Sequence, residues 1–585
     1  MSHVILQMIL YVAILTVLAV PLGKYIGKVM DGEKVFLSKL CAPVERGIYK
    51  ILKINESDEN MSWKKYGACA VIFSIFGLAA VMLLQLFQRV LPLNPEHIPG
   101  TSWHLAFNTA ASFVTNTNWQ AYSGESSLSY LTQMLGLTVQ NFVSAATGIA
   151  VLFALIRGFV RVKHKGIGNF YKDMVRTVLY ILLPLSIVVS VLLVSQGVPQ
   201  TFHAYDEVDL VEPLTVENED GTETTVTKEL VPLGPAASQI SIKQLGTNGG
   251  GFFGVNSAHP FENPTIFSNL LEMIALLLIP AALCFTFGRN VKDARQGKAI
   301  FLAMTILLVA ALGIIGVSEQ SGTPQLAQNG AVEMEASGDY SGGNMEGKET
   351  RFGIAASSTW AAFTTAASNG SVNSMHDSYT PIGGMIAMLQ MMLGEVIFGG
   401  VGCGLYGMIG FAIMTVFIAG LMVGRTPEYL GKKIEPFEMK MAVFICLATP
   451  VAILIGSGLA AALPATVDSL HNAGAHGLSE VLYSYASAGG NNGSAFAGFN
   501  ANTVFLNVSI GLVMLFARFV PMLGTLAIAG HLAEKKKVAE SAGTLPTHNA
   551  MFIFLLIFIV LLVGALSFFP ALSLGPIAEH LQMIG

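Results

Sequence analysis

Long apolar runs separated by short polar stretches fill the chain, and their lengths, rather than any alternation, carry the signal. A hydrocarbon core about 30 Å thick calls for roughly 20 apolar residues per helix. Windows of that size predict helices near residues 3–22, 67–91, 131–156, 175–195, 265–287, 299–317, 383–423, 440–462, 502–526 and 549–570. The expected fold is an all-α polytopic membrane protein with ten transmembrane helices. The first run has no basic stretch before it and no small-residue cleavage site directly after it, so it reads as a retained helix and not as a signal peptide.

The run at 383–423 has about twice the length one straight span needs, with Gly399, Gly400, Gly402 and Gly404 in its middle. A helix broken there is expected, its freed backbone satisfied by protein or a water-filled cavity. A close helix-packing face of small residues or two separate spans are the alternatives.

Composition agrees with burial in a bilayer. Hydrophobic residues make up 53% of the chain and charged residues 12%, and the mean hydropathy is +0.60. The location of the charges says more than their sum of -5. Basic connections run from Lys24 to Lys53, Arg157 to Arg176, Arg289 to Lys298, Gly424 to Lys440 and Lys535 to Lys537. The alternate connections are neutral or acidic, notably Asp206–Glu229 and Glu333–Glu349. The positive-inside rule makes the basic set cytoplasmic and puts both termini outside. Five cysteines in apolar runs or a cytoplasmic loop, without CxxC spacing, support neither a disulfide framework nor a zinc site.

Each outward connection between alternate helices holds a short half-apolar stretch and then a polar turn. The turns contain Thr115-Asn116-Thr117-Asn118, Gly246-Thr247-Asn248-Gly249, Ser368-Asn369-Gly370 and Asn491-Asn492-Gly493. Aligning Asn118, Gly249, Gly370 and Gly493 gives separations of 131, 121 and 123 residues. A fixed period means one structural unit reused. The chain therefore divides into an extra N-terminal helix (1–23), pore repeats at 66–157, 175–288, 299–423 and 440–526, and an extra C-terminal helix (549–570). The 10 to 15 residues before each turn are too few to span, so they re-enter the membrane.

Four such turns around one axis form a ring. Thr, Asn and Gly tolerate unusual dihedrals, and backbone carbonyls directed inward replace a cation's hydration shell. No carboxylate lies in the turns, which fits a monovalent ion better than Ca²⁺. A lone Asn-Gly turn is ordinary surface structure; four at one period on one side of the membrane are not.

The string from Gly246 to Phe253, with Asn256-Ser257-Ala258-His259-Pro260-Phe261-Glu262-Asn263-Pro264 after it, resembles the signature of KdpA, the potassium-transporting component of Kdp ATPases. Thr115 to Gln120, Met375-His376-Asp377-Ser378, Gly394-Glu395-Val396, Gly424 to Gly431 and Asn491 to Gly498 extend the resemblance over nearly the whole chain. It implies a K⁺-binding and K⁺-translocating subunit of a high-affinity uptake pump in the bacterial inner membrane. Its partners would be a P-type ATPase subunit, a single-span periplasmic subunit and a small single-helix subunit, besides membrane lipid.

Position by position, the resemblance places the K⁺ filter at Asn116, Thr117, Asn118, Thr247, Asn248, Gly249, Ser368, Asn369, Gly370, Asn491, Asn492 and Gly493, with Gln120 as support. The glycine run from Gly399 to Gly404 becomes an intramembrane loop that blocks straight passage, and Glu395 belongs to that region. Asp293, Arg289, Arg295, Arg425 and Arg518 are candidates for docking the ATPase subunit, although positive-inside bias explains most of them equally well. The pairs His259 with Glu262 and His376 with Asp377 read as scaffolding behind the filter, because neither has a third metal ligand at usable spacing.

A P-type phosphorylation string DKTGT and a GxxxxGK[ST] loop are both missing from the sequence. The chain is therefore expected to bind no nucleotide and to be a non-hydrolytic subunit without catalytic residues. Nothing basic and aromatic points to nucleic acid. The competing reading is a self-contained channel or symporter of the Trk and Ktr kind; an intramembrane enzyme using His376 and Asp377 is a distant third.

Overall fold

Polar caps sit where the apolar runs begin, and they fix where each helix starts. Side chains of Ser62, Thr265, Asp293, Thr503 and Asn549 accept main-chain amides in the first turns of the helices they precede, satisfying donors that the helix itself leaves unpaired. The computed structural model describes residues 2–55, 60–217, 222–328, 332–338, 341–394, 396–422, 424, 426–539 and 544–585, with side chains from residue 5 onward.

Among the described residues, ten helices are long and apolar enough to cross a membrane. They are Ile5–Met30, Trp63–Val90, Thr132–Val160, Phe170–Ser195, Ile266–Asn290, Ala294–Gln328, Cys403–Met422, Pro436–Ala461, Val504–Glu534 and Ala550–Leu574. The first and ninth outrun the sequence windows at their C-terminal ends. Charges end a hydropathy window, but helical hydrogen bonding continues through Lys24 and Lys28 and as far as Glu534.

Between the paired spans lie four shorter helices, Trp103–Val114, Ala236–Leu245, Gly353–Ala367 and Gly474–Gly489. Each is largely buried and ends at a polar turn. Span, short helix, turn and span therefore recur four times, with the first and tenth spans outside the repeats.

The long apolar segment before Met422 is broken as its length demands. Its halves are Pro381–Met392 and Cys403–Met422, joined by residues 393–402. Gly394, Phe398, Gly399 and Gly402 all have positive φ there.

The acidic connection before the second turn holds an antiparallel hairpin, Asp206–Glu217 with Glu223–Val231. The helix windows passed over it. Its cue was local: β-branched Val and Thr flank an Asp-Gly pair, the usual hairpin signal.

Candidate functional site

The four short helices all point their C-terminal ends at the turns that follow, and the turns meet in one ring. The residue in the middle of each turn donates its amide to the carbonyl five residues earlier in its own helix. Thr117 reaches Ser112 at 2.9 Å, Asn248 reaches Lys243 at 2.8 Å, Asn369 reaches Thr364 at 3.1 Å and Asn492 reaches Ser487 at 2.8 Å. The flanking residues are left-handed in every repeat. Asn116 and Asn118 have φ of 66° and 57°, Thr247 and Gly249 50° and 88°, Ser368 and Gly370 54° and 84°, Asn491 and Gly493 46° and 103°. The pattern is the same four times although the residues differ.

Left-handed φ is unremarkable for Gly and tolerable for Asn, but costly for β-branched Thr247. The surroundings compel it. Thr247 Oγ1 donates to the Gly246 carbonyl at 2.7 Å and accepts the amide of Val401 at 2.9 Å.

Glycine is required where one turn leans on the next. A Cβ on Gly249 would stand 1.5 Å from the carbonyl oxygen of Asn369, one on Gly370 2.3 Å from that of Asn492, and one on Gly493 2.1 Å from that of Thr117. The second turn thus touches the third, the third the fourth, and the fourth the first. The junction of first and second turns is made by side chains: Asn116 Nδ2 donates to the Thr247 carbonyl at 2.8 Å, and Asn248 Nδ2 to Asn116 Oδ1 at 2.5 Å.

Further bonds run from turn to turn. Asn369 Nδ2 donates to the Lys243 carbonyl at 3.0 Å and Asn492 Nδ2 to the Thr364 carbonyl at 2.7 Å. Asn491 Nδ2 donates to Thr117 Oγ1 at 2.9 Å. Gln120 bridges to Gly251 in the second loop. Beside the ring, Asn118, Gln120, Asn256, Gly370 and Gly493 line a cavity of about 440 Å³.

The third span contributes two residues that the sequence reading missed. Asn141 Oδ1 accepts Asn118 Nδ2 at 2.7 Å, and Ser144 Oγ donates to Asn116 Oδ1 at 2.8 Å. Their signal was polar side chains three apart in an apolar helix.

The glycine run packs against the ring. Gly399 donates to the carbonyl of Ala366, the end of the third short helix, at 2.9 Å, and Val401 is bound to Thr247. A Cβ on Gly402 would meet the Gly148 carbonyl at 2.2 Å. Gly404 begins the inner half-helix by donating to the carbonyl of Gly400 at 3.1 Å; a Cβ on Gly404 would meet the Phe398 carbonyl at 1.8 Å. Gly394, Cys403, Asn491 and Arg518 line a cavity of about 30 Å³ beside this loop. Glu395 lies outside the described residues.

Of the docking candidates, Arg518 is buried within the chain. It sits in the middle of the ninth span, 5% exposed, with its guanidinium on Cys403 Sγ at 2.5 Å, as an arginine inside an apolar helix turns toward the protein interior. Asp293 caps the sixth span and pairs with Arg295 at 2.9 Å. Arg289 pairs with Asp31 at 2.7 Å and with Glu33. Arg425 lies outside the described residues.

His259 stacks on Phe253 with ring centroids 4.4 Å apart, while Glu262 accepts the amides of Phe252 and Phe253. His376 Nδ1 meets the Tyr483 hydroxyl at 2.8 Å. Burial, with a further push from the Lys348 charge, lowers the His376 pKa to about 3, so the ring is neutral. Asp377 pairs with His476 at 3.0 Å, and His476 also pairs with Glu579 at 2.7 Å.

Over residues 9–581 the sequence matches the family described as potassium-transporting ATPase A subunit. The chain belongs to that family. Among family proteins named potassium-transporting ATPase potassium-binding subunit, one from Clostridium botulinum strain Alaska E43 is 74% identical, with 100% of both chains covered. Namesakes from Desulfovibrio desulfuricans and Listeria welshimeri are 63% and 58% identical, covering at least 99% of each chain. The fold is similar to the crystal structure of the potassium transporter TrkH from Vibrio parahaemolyticus. The TM-score is 0.51 at 13% identity, covering 89% of this chain and 98% of that one.

Proposed function

We propose that this family member binds and translocates K⁺ as the ion-selecting subunit of an ATP-driven uptake pump. The observation that carries the reading is the recurrence of left-handed φ on either side of the middle residue in all four turns. Alternating hands turn successive carbonyls to one side, where they stand in for water around a dehydrated cation. Asn116, Thr117 and Asn118, with Thr247, Asn248 and Gly249, Ser368, Asn369 and Gly370, and Asn491, Asn492 and Gly493, form that filter. The C-terminal ends of four helix dipoles add negative potential from behind. A carboxylate-free ring suits K⁺ rather than a divalent ion.

Loop 393–402 is the barrier that separates filter from cytoplasm. A pump that works against a gradient needs such a barrier, because an open path would dissipate what hydrolysis builds. K⁺ then leaves sideways toward a P-type ATPase subunit, with a single-span periplasmic subunit and a small single-helix subunit completing the complex. The membrane is the bacterial inner membrane, with both termini outside.

Growth of a bacterium lacking K⁺ uptake, in very low K⁺, tests this. Rescue is expected only when the chain is expressed with its ATPase and accessory partners and only while the ATPase is active. Rescue by the chain alone would make it a channel or symporter and overturn the pump reading.

A further inference from the structure

At one position of the fourfold plan three repeats agree and one departs. The helix residue whose carbonyl receives the middle turn amide is Ser112, Thr364 or Ser487 in three repeats and Lys243 in the second. Three hydroxyls and one ammonium occupy equivalent places. A fully buried ammonium beside a ring shaped for a cation requires compensation, since buried charges persist only when paired and hydrogen-bonded.

The compensation leads back to the ring. Lys243 Nζ pairs with Glu262, both side chains wholly buried, and donates to Asn256 Oδ1 at 2.7 Å. Glu262 turns its other oxygen to the amides of Phe252 at 2.6 Å and Phe253 at 2.9 Å, the main chain leaving the second turn. Asn256, itself left-handed at φ 58°, donates Nδ2 to the Gly249 carbonyl at 2.6 Å. An ammonium is thus two hydrogen bonds from a filter carbonyl.

We propose that Lys243 is a positioning residue that sets ion selectivity: paired with Glu262 it locks Asn256, and Asn256 holds the Gly249 carbonyl at a fixed place. The inference rests on the filter reading above. A carbonyl tethered from behind cannot close in around an ion smaller than K⁺. Its lone pairs are also partly drawn off by an amide that the ammonium polarises. Both effects penalise Na⁺ more than K⁺.

The test uses the full chain purified with its pump partners, reading ATP hydrolysis against K⁺ concentration with Na⁺ as competitor. Asn256→Ala is expected to reduce K⁺ over Na⁺ discrimination about tenfold, the scale of one buried hydrogen bond. Lys243→Met is expected to lose the same factor, and the double variant no more, because the two act in series. A merely structural role would lower assembly or maximal rate without moving the ion ratio. If Lys243→Met does not assemble, Asn256→Ala and Glu262→Gln carry the test. An assembled, active Asn256→Ala pump with unchanged discrimination overturns the proposal. Gly249→Asp separates the two readings. Loss of discrimination there but not in Asn256→Ala refutes this inference alone, whereas unchanged discrimination in both refutes the filter as well.

Discussion

The side-chain amide of Gln120 grips the main chain of Gly251 from both sides, donating Nε2 to its carbonyl at 3.0 Å and accepting its amide on Oε1 at 2.8 Å. A backbone ladder bond in miniature thereby joins the exits of the first and second turns, where the glycine contact that serves the other three junctions is replaced by side chains. Gln120→Leu keeps the volume and removes both bonds. The apparent K⁺ affinity of the assembled pump should fall about tenfold, for a net loss on the order of 1–2 kcal/mol; an unchanged K⁺ titration of ATP hydrolysis would show that the clamp is idle.

Alanine at the three ring glycines should damage K⁺ selection in proportion to the intrusion. Each variant also carries about 1 kcal/mol for a side chain at positive φ. The order expected is Gly249→Ala worst, then Gly493→Ala, then Gly370→Ala, following Cβ distances of 1.5, 2.1 and 2.3 Å to the next turn. Competition between K⁺ and Na⁺ in uptake assays ranks them, and equal behaviour of all three would contradict the ring geometry.

Thr247→Val preserves the β-branch while leaving the Val401 amide without its acceptor, at a cost of about 1–3 kcal/mol. Loop 393–402 should then loosen where it meets the second turn. Passive K⁺ flux through proteoliposomes in the absence of ATP is the measurement; a rise supports the loop as barrier, and wild-type tightness would place the barrier elsewhere.

His476 offers a pH test. Its burial lowers the pKa, but the bonds and charges of Asp377 and Glu579 outweigh that and raise it to about 10, from an unfolded value near 6.5. The protonated ring therefore stabilises the fold fully below about pH 6.5, and the contribution disappears as pH rises through about 10. The difference in melting temperature between wild type and His476→Gln should be largest in mild acid and vanish in strong alkali. A pH-independent difference would mean that packing, and not charge, holds the C-terminal helix Pro576–Ile584 to Asp377 and His476.

The spans were legible because apolar length is a one-dimensional property, and the four turns because a period survives in a string. The break between Met392 and Cys403 was legible too, since its glycines and its excess length point the same way. What escaped depends on distance across the fold. Asn141 and Ser144 look like stray polar residues until the third span is set beside Asn118 and Asn116. Lys243 looks like a charge at the end of a short helix until Glu262 and Asn256 fold back on it. Arg518 looks like one more basic residue near the connections until the fold sets Cys403 against it.

The ring closes within one polypeptide, and this has a consequence for heredity. In a channel of four identical subunits a single codon change strikes every quadrant at once. Here each quadrant is written separately, so Asn118 can stand where its three counterparts are glycine, and Lys243 where its counterparts are hydroxyls. Such a ring can drift one quarter at a time, in steps small enough to be survived.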